Sequence, residues 1–127
     1  MKILMLNFEF PPLGGGASPL SFDLAKEIVK NGHEVDVITM NFKNLKKYES
    51  IDGIHIHRVN CIRNHKEYSK SLELLSYIFP ALIKSIQLHK IKKYDLNHTH
   101  FIIPTGIVSY LLKKITKLPY MITSHGS

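Results

Sequence analysis

MKILMLNFEFPPLGGGASPLSFDLAKEIVKN, residues 1–31, reads as a buried strand, a glycine turn and an amphipathic helix in succession. From Lys2 to Phe8 the run is apolar at Ile3, Leu4, Met5 and Leu6 without alternation, as in a parallel strand covered on both faces. Phe10, Pro11 and Pro12 end it, and Gly14, Gly15 and Gly16 follow. Ser18-Pro19 then supplies a side chain able to cap a helix ahead of the residue best tolerated at its first position. Leu20, Leu24 and Ile28, with Ala25 and Val29 beside them, predict a stripe that packs on the sheet until Asn31-Gly32 stops the helix. Glycines without Cβ let backbone N–H groups approach an anion, and the helix N-terminus behind them carries about half a positive charge, so a phosphate fits there. A tight connection that binds nothing explains the same glycines, and they alone do not choose between the two.

Next comes Glu34 to Thr39, EVDVIT, apolar at Val35, Val37 and Ile38, the second strand of a β-α-β unit with a right-handed crossover. A dinucleotide-binding fingerprint needs a third glycine where Pro19 stands and an acidic residue near the end of this strand, which instead ends in Thr39-Met40-Asn41. An NAD enzyme is disfavoured. Asn41 to Ser50 reads as an irregular connection, Asp52-Gly53 as a turn, and Ile54 to Val59 as a strand. Its His55 and His57 share a face and, lacking a third ligand nearby, read as a solvent-facing pair outside the site. From Tyr68 to Lys93 the pattern is helical, through Leu72, Leu75, Ile78, Phe79, Leu82, Ile83, Ile86 and Ile91. Pro80 predicts a kink or a break into two helices. A core helix explains this segment; insertion into a membrane interface, aided by Lys84, Lys90, Lys92 and Lys93, is the alternative. Tyr94 to His98 is a short strand entering the loop Thr99 to Pro104. Thr105 to Lys117 is a helix with Ile107, Val108, Leu111, Leu112 and Ile115 as its buried stripe, and Tyr120 to Thr123 is the next strand. Ser124 to Ser127 is the turn leaving it.

At 127 residues with 44% hydrophobic content, the chain fits one domain, 1–127, with one core. No apolar run reaches the ~18 residues that cross a membrane. The opening MKILMLNFEF has one lysine and no small-residue cleavage site, so it reads as a strand, and the expected location is cytoplasmic. Cys61, the single cysteine, reads as a buried or half-buried residue. The net charge of +7 comes from scattered lysine pairs without interleaved aromatics, which gives direct nucleic-acid readout little support. A solvated lysine-rich surface accounts for it, and an anionic membrane or substrate fits as well.

The predicted order, β-α-β-β-α-β-α-β, is a Rossmann-like, doubly wound, mainly parallel sheet, in which ligands bind outside the carboxyl ends of the strands where strand order reverses. The triglycine, His98-Thr99-His100 and His125-Gly126 all fall at such ends and are expected to converge on one cleft. The order FEFPPLGGGAS, KNGHEVDVIT, YDLNHTHFIIP and PYMITSHGS resembles the amino-terminal domain of retaining GT-B glycosyltransferases of family 4, across the whole chain.

That resemblance implies the acceptor-side half of a two-domain enzyme that moves a sugar from a nucleotide-sugar to an acceptor, with retention and without a metal or other cofactor. Cell-envelope or polysaccharide synthesis is the implied setting. Carried over, the backbone amides of the Gly14, Gly15 and Gly16 turn meet the donor's diphosphate, His125 contacts the donor sugar near the reacting centre, and His100 shapes the acceptor side. His98 is expected to point into the sheet and satisfy a backbone carbonyl. The family's donor-binding half is missing, so the chain is expected to be inactive alone: a fragment, a truncated reading frame, or a subunit of a split transferase. The implied acceptor is a sugar or a lipid-linked molecule, with peripheral contact on the inner face of the membrane as a further option. A catalytically silent phosphate- or nucleotide-binding module is the alternative. A response-regulator fold is disfavoured for want of an acidic cluster, and a hydrolase using His98, His100 and His125 would hold zinc.

Overall fold

A computed structural model describes residues 1–14, 17–66 and 70–124, without the side chain of residue 17. The elements run β1 (Lys2–Leu6), α1 (Ala17–Lys30), β2 (Glu34–Met40), β3 (Tyr48–Ile51), β4 (Ile54–Val59), α2 (Ser71–Lys92), β5 (Leu96–His100), α3 (Thr105–Thr116) and β6 (Tyr120–Thr123). They form a six-stranded sheet in the order β3-β4-β2-β1-β5-β6, parallel except for the β3–β4 pair. Strand order therefore reverses between β1 and β5. This is the expected α/β, Rossmann-like, doubly wound architecture.

The unbroken apolar run of β1 has two destinations. Leu4 and Leu6 join Ile38, Met40, Tyr77, Leu82, Val108 and Leu112 under α2 and α3. Met5 joins Val35, Val37, Ile54, Ile56 and Ala25 under α1. A strand buried on both faces is apolar at every position, and that is why β1 does not alternate.

Several expectations are corrected. Tyr48–Ile51 lies in the stretch read as irregular but is an edge strand, joined to β4 by Asp52 and Gly53, both at positive φ (52° and 82°), as a two-residue hairpin turn requires. The helix α1 begins at Ala17, which leaves Pro19 inside the first turn, where a missing N–H costs nothing. Its inward face is Ser18, Ser21 and Ala25 with part of Phe22, Ile28 and Val29; Leu20 and Leu24 point outward, rotated off the predicted stripe. Asn31-Gly32 ends it as expected, with Gly32 at φ 90° and its N–H donated to Val29 O (3.0 Å). In α3 the inward residues are Val108 and Leu112, flanked by Leu111, whereas Ile107 and Ile115 are exposed.

α2 runs unbroken through Pro80. Tyr77 lies before the proline and Ala81, Leu82, Ser85 and Leu88 after it, all buried, so packing on both sides outweighs the lost N–H. The buried face excludes five of the eight residues the periodicity selected: Leu72, Leu75, Phe79, Ile83 and Ile91 are exposed.

His55 and His57 do share a face, but His57 is buried on it and His55 half-buried. His57 Nε2 donates to the fully buried Asp36 carboxylate (2.8 Å), and Lys92 Nζ, from the end of α2, donates to both of its oxygens (2.9 Å each). His55 Nδ1 lies 2.7 Å from the Tyr48 hydroxyl. The strand alternation that sends Val35 and Val37 toward α1 sends Asp36 toward α2, which is where Lys92 waits.

Candidate functional site

The carboxyl ends of β1 and β5 flank the reversal of strand order, and the described parts of the predicted site lie there. Gly14 follows β1 in the turn before α1. Its φ of 94° suits a residue without Cβ, and its N–H donates to Lys66 O (2.9 Å). A Cβ at this position would stand 2.6 Å from Glu9 Cβ and 2.9 Å from Glu9 Oε2. Gly14→Ala is therefore expected to destabilise the domain by about 1–3 kcal/mol, more than Gly32→Ala, which has the same backbone problem but open space. Thermal melts of the two variants side by side check this. Gly15, Gly16 and His125 lie outside the described residues.

Asn7, missed in the sequence, fixes the turn. It is fully buried just after β1, donates from Nδ2 to Ser21 Oγ (2.8 Å) and accepts the Glu9 N–H (3.0 Å) at Oδ1. Ser21 in turn donates to Ser18 O (2.8 Å). The strand end, the turn and the first turns of α1 are thus one hydrogen-bonded unit. The signal was available: a lone amide ends an otherwise apolar strand. Ser18 Oγ is also buried, with no hydrogen-bond partner among the described residues, and the first turn of α1 holds no acidic residue. The helix therefore supplies no carboxylate to its own positive end, and the Glu9 carboxylate stands at Gly14 in the turn before it.

Arg63, likewise missed, straps the loop after β4 across this turn. Buried to 8% exposure, it donates to Phe8 O (3.3 Å), His65 O (2.9 Å) and Lys66 O (3.1 Å) and touches Met40 Sδ (3.2 Å). Beside it, a cleft of about 220 Å³ opens between Pro12 and Phe42, with Lys43 and Lys66 on its edge. Cys61, half-buried nearby, has its thiol pushed up by burial and stays a thiol, which disfavours nucleophilic chemistry.

On the β5 side, the strand that was expected to end at His98 continues to His100, so the two histidines share a face, with rings stacked at 4.6 Å. His100 is 1% exposed at the carboxyl end of β5. His98 is buried as expected, but its Nε2 meets the Thr123 hydroxyl (2.8 Å) of β6 instead of a backbone carbonyl. Thr99, on the opposite face, bonds to Ser109 of α3 with Asn97. Phe101 follows at φ 77°, a strained conformation for an aromatic residue. It is held by its N–H to Thr123 O (2.8 Å) and by packing on Phe8 at 4.7 Å. The chain turns sharply away from His100 there.

Among the described residues, no three His, Cys, Asp or Glu side chains are grouped to hold a metal ion. A cavity of about 520 Å³ between Tyr110, Lys113, Lys114, Lys117 and Tyr120 sits at the far pole, at the start of β6, away from this rim.

A doubly wound sheet with a glycine turn at its reversal point defines a class of α/β proteins that bind ligands at this rim. The chain belongs to glycosyltransferase family 4, whose family model matches residues 14–127. It is 35% identical over 128 residues to an uncharacterized glycosyltransferase of Methanocaldococcus jannaschii, covering 100% of this chain and 31% of that protein. It is 27% identical over 128 residues to N-acetyl-alpha-D-glucosaminyl L-malate synthase of Bacillus anthracis, covering 98% of this chain and 32% of that protein. In structure it is similar to sucrose-phosphate synthase of Thermosynechococcus elongatus, with a TM-score of 0.79 at 19% identity over 98% of this chain and 33% of that one. The chain spans about a third of the length of the relatives it matches.

Proposed function

We propose that this chain is the acceptor-side domain of a retaining glycosyltransferase that takes a sugar from a nucleotide-sugar. A donor-binding half, on the same polypeptide or a partner subunit, completes the enzyme. One observation carries the reading: in a family 4 chain, the Gly14 turn and His100 stand at the carboxyl ends of β1 and β5, either side of the reversal point. Departure of a nucleoside diphosphate builds negative charge; the Glu9 N–H held by Asn7 and the Gly14 N–H held by Lys66 O fix the turn before the reaction, and the donors to that charge in this reading are the amides that follow Gly14. In this scheme Gly14, Gly15 and Gly16 face the diphosphate, with the Ser18 hydroxyl beside them, and no metal is required. His125 donates a hydrogen bond to the donor sugar near the reacting carbon, and His100 shapes the acceptor pocket. A hexosyl donor is supported by the name of the Bacillus relative, an N-acetylglucosaminyl synthase.

The test joins this chain to the remaining two thirds of the Methanocaldococcus relative and supplies a panel of nucleoside-diphosphate sugars with sugar and lipid-linked acceptors. Transfer is expected with the chimera and not with the 127-residue chain alone. If no nucleotide-sugar gives transfer while a nucleoside diphosphate still shifts the amide signals of Gly14 to Gly16, the silent binding module replaces the transferase reading.

A further inference from the structure

We propose that the hollows between the Gly14 turn and the β3–β4 hairpin form one basic trail that binds an acidic oligosaccharide. The trail starts at the cleft of about 220 Å³ beside Pro12 and Lys66. A smaller hollow of about 130 Å³ follows, between Asn41, Phe42, Lys43, Asn60 and Cys61. Beyond it a groove of about 470 Å³ opens between α2 and the hairpin. Phe42 and Lys43 line both the cleft and the small hollow, and Asn60 lines both the small hollow and the groove, so each adjoins the next. The trail thus leads from the turn to the β3 margin of the sheet, the margin opposite β6.

Charge and hydrogen-bonding capacity select the ligand. Among the described residues no Asp or Glu lines any part of the trail. Arg58 is engaged by Glu49 and Arg63 by three carbonyls, which leaves Lys43, Lys47, Lys66 and Lys84 with no carboxylate partner among the described residues. Cations spaced along a groove match a ligand with spaced negative charges. The floor of the groove calls for hydroxyl groups. His57, 8% exposed, turns Nε2 to the Asp36 carboxylate, which can only accept, so Nε2 holds the proton and Nδ1 of the neutral ring is an acceptor. Nδ1 has no partner among the described residues and is open to solvent. Asn60 and Gln87 add side-chain amides, and Tyr48 and Phe79, 50 and 71% exposed, add ring faces. A sugar acid carries a carboxylate, donor hydroxyls and an apolar C–H face on one ring, and so meets all three kinds of group. An acyl chain would desolvate Nδ1 and the amides and leave them unpaired. Under the transferase reading the trail leads the acceptor's sugar chain to the Gly14 turn; only that assignment of role, and not the binding, rests on that reading.

Tetragalacturonate titrated into the isotope-labelled chain is expected to shift the ring nitrogens of His57 and the side-chain amides of Asn44, Asn60 and Gln87 in nuclear magnetic resonance spectra. Maltotetraose, tetraglutamate and decanoate, its neutral, peptide and acyl counterparts, are expected to leave those signals in place. Affinity for tetragalacturonate should fall about threefold in each of Lys47→Gln and Lys84→Gln. It should fall about fivefold in Phe79→Ala. Circular dichroism confirms that each variant is folded, and the signals of the unmutated chain provide the reading if one is not. Absence of shifts with tetragalacturonate overturns the inference, as does affinity unchanged in both lysine variants. Equal binding of maltotetraose overturns the requirement for acid, and stronger binding of tetraglutamate or decanoate overturns the sugar in favour of a peptide or an acyl anion. A nucleoside diphosphate, which the transferase reading sets at the Gly14 turn, should leave the His57 ring unshifted. No readout depends on sugar transfer, so this proposal and the transferase reading fail separately.

Discussion

Asp36→Ala is expected to destabilise the domain by about 3 kcal/mol and to lower its Tm by about 10 °C. Asp36 is fully buried in the middle of β2, and the substitution takes the carboxylate from His57 Nε2 and leaves Lys92 Nζ with Glu34 Oε1 at 3.6 Å in place of two oxygens at 2.9 Å. Losing one member of a buried charged cluster costs roughly 3–5 kcal/mol, and the lower end applies because the Lys92 side chain remains 25% exposed and can turn to water. The pH dependence has a definite sign. Burial opposes the charge on Asp36, but the hydrogen bonds from His57 and Lys92 outweigh it and hold the carboxyl below its ordinary 3.8. A folded value below the unfolded one means that the contribution is complete above about pH 4 and drains away as pH falls through the folded value. Lys92, raised by Asp36 and Glu34 against the effect of burial, contributes below its ordinary 10.5 and loses that contribution as pH rises through its folded value. Urea melts of the unmutated chain should therefore show an acid limb that is missing in Asp36→Asn. Parallel acid limbs in the two proteins would remove Asp36 as their source.

Arg63→Met is expected to cost about 2–3 kcal/mol and, more tellingly, to loosen the Gly14 turn. Methionine keeps much of the stem's volume, so the loss is of the donors to Phe8 O, His65 O and Lys66 O. Lys66 O is also the acceptor for the Gly14 N–H, so the turn loses its outer support along with the arginine. Hydrogen exchange at the Gly14 amide should accelerate well beyond the change in global stability. Arg63→Lys should not restore it, because one ammonium cannot reach three carbonyls spread along two segments. If the Gly14 amide keeps its protection in Arg63→Met, the strap does not hold the turn.

How far the sequence could be read depended on what kind of signal each residue sends. The buried strands β1 and β2 announced themselves, because a strand covered on both faces is mostly apolar, as Leu4, Met5 and Val37 show, with Asp36 the exception that its partners make tolerable. β3 was invisible because an edge strand with YESI exposed along most of its length has no such constraint; only the Asp52-Gly53 turn betrayed the hairpin. The helices were found, but their inward faces were misread in the same way: large aliphatics were assumed to point in. In α1 the close approach to the sheet selects Ser18, Ser21 and Ala25, so small residues face in and Leu20 and Leu24 face out. The rim was half legible. Glycine turns and strand-end histidines have recognisable positions, whereas Asn7 and Arg63 act through backbone carbonyls and amides that only the folded chain brings near.

The hairpin at β3 also sets a direction. Because β3 is four residues long and runs against the other five strands, with Lys46 and Lys47 just ahead of it, that margin of the sheet is capped against the addition of further parallel strands. At the other margin β6 pairs only with β5 among the described residues and carries the exposed Met121 and Ile122. Sheet growth by another parallel strand, whether from a fused segment or a separate subunit, is polarised to the β6 side, next to the strand that leads to His125.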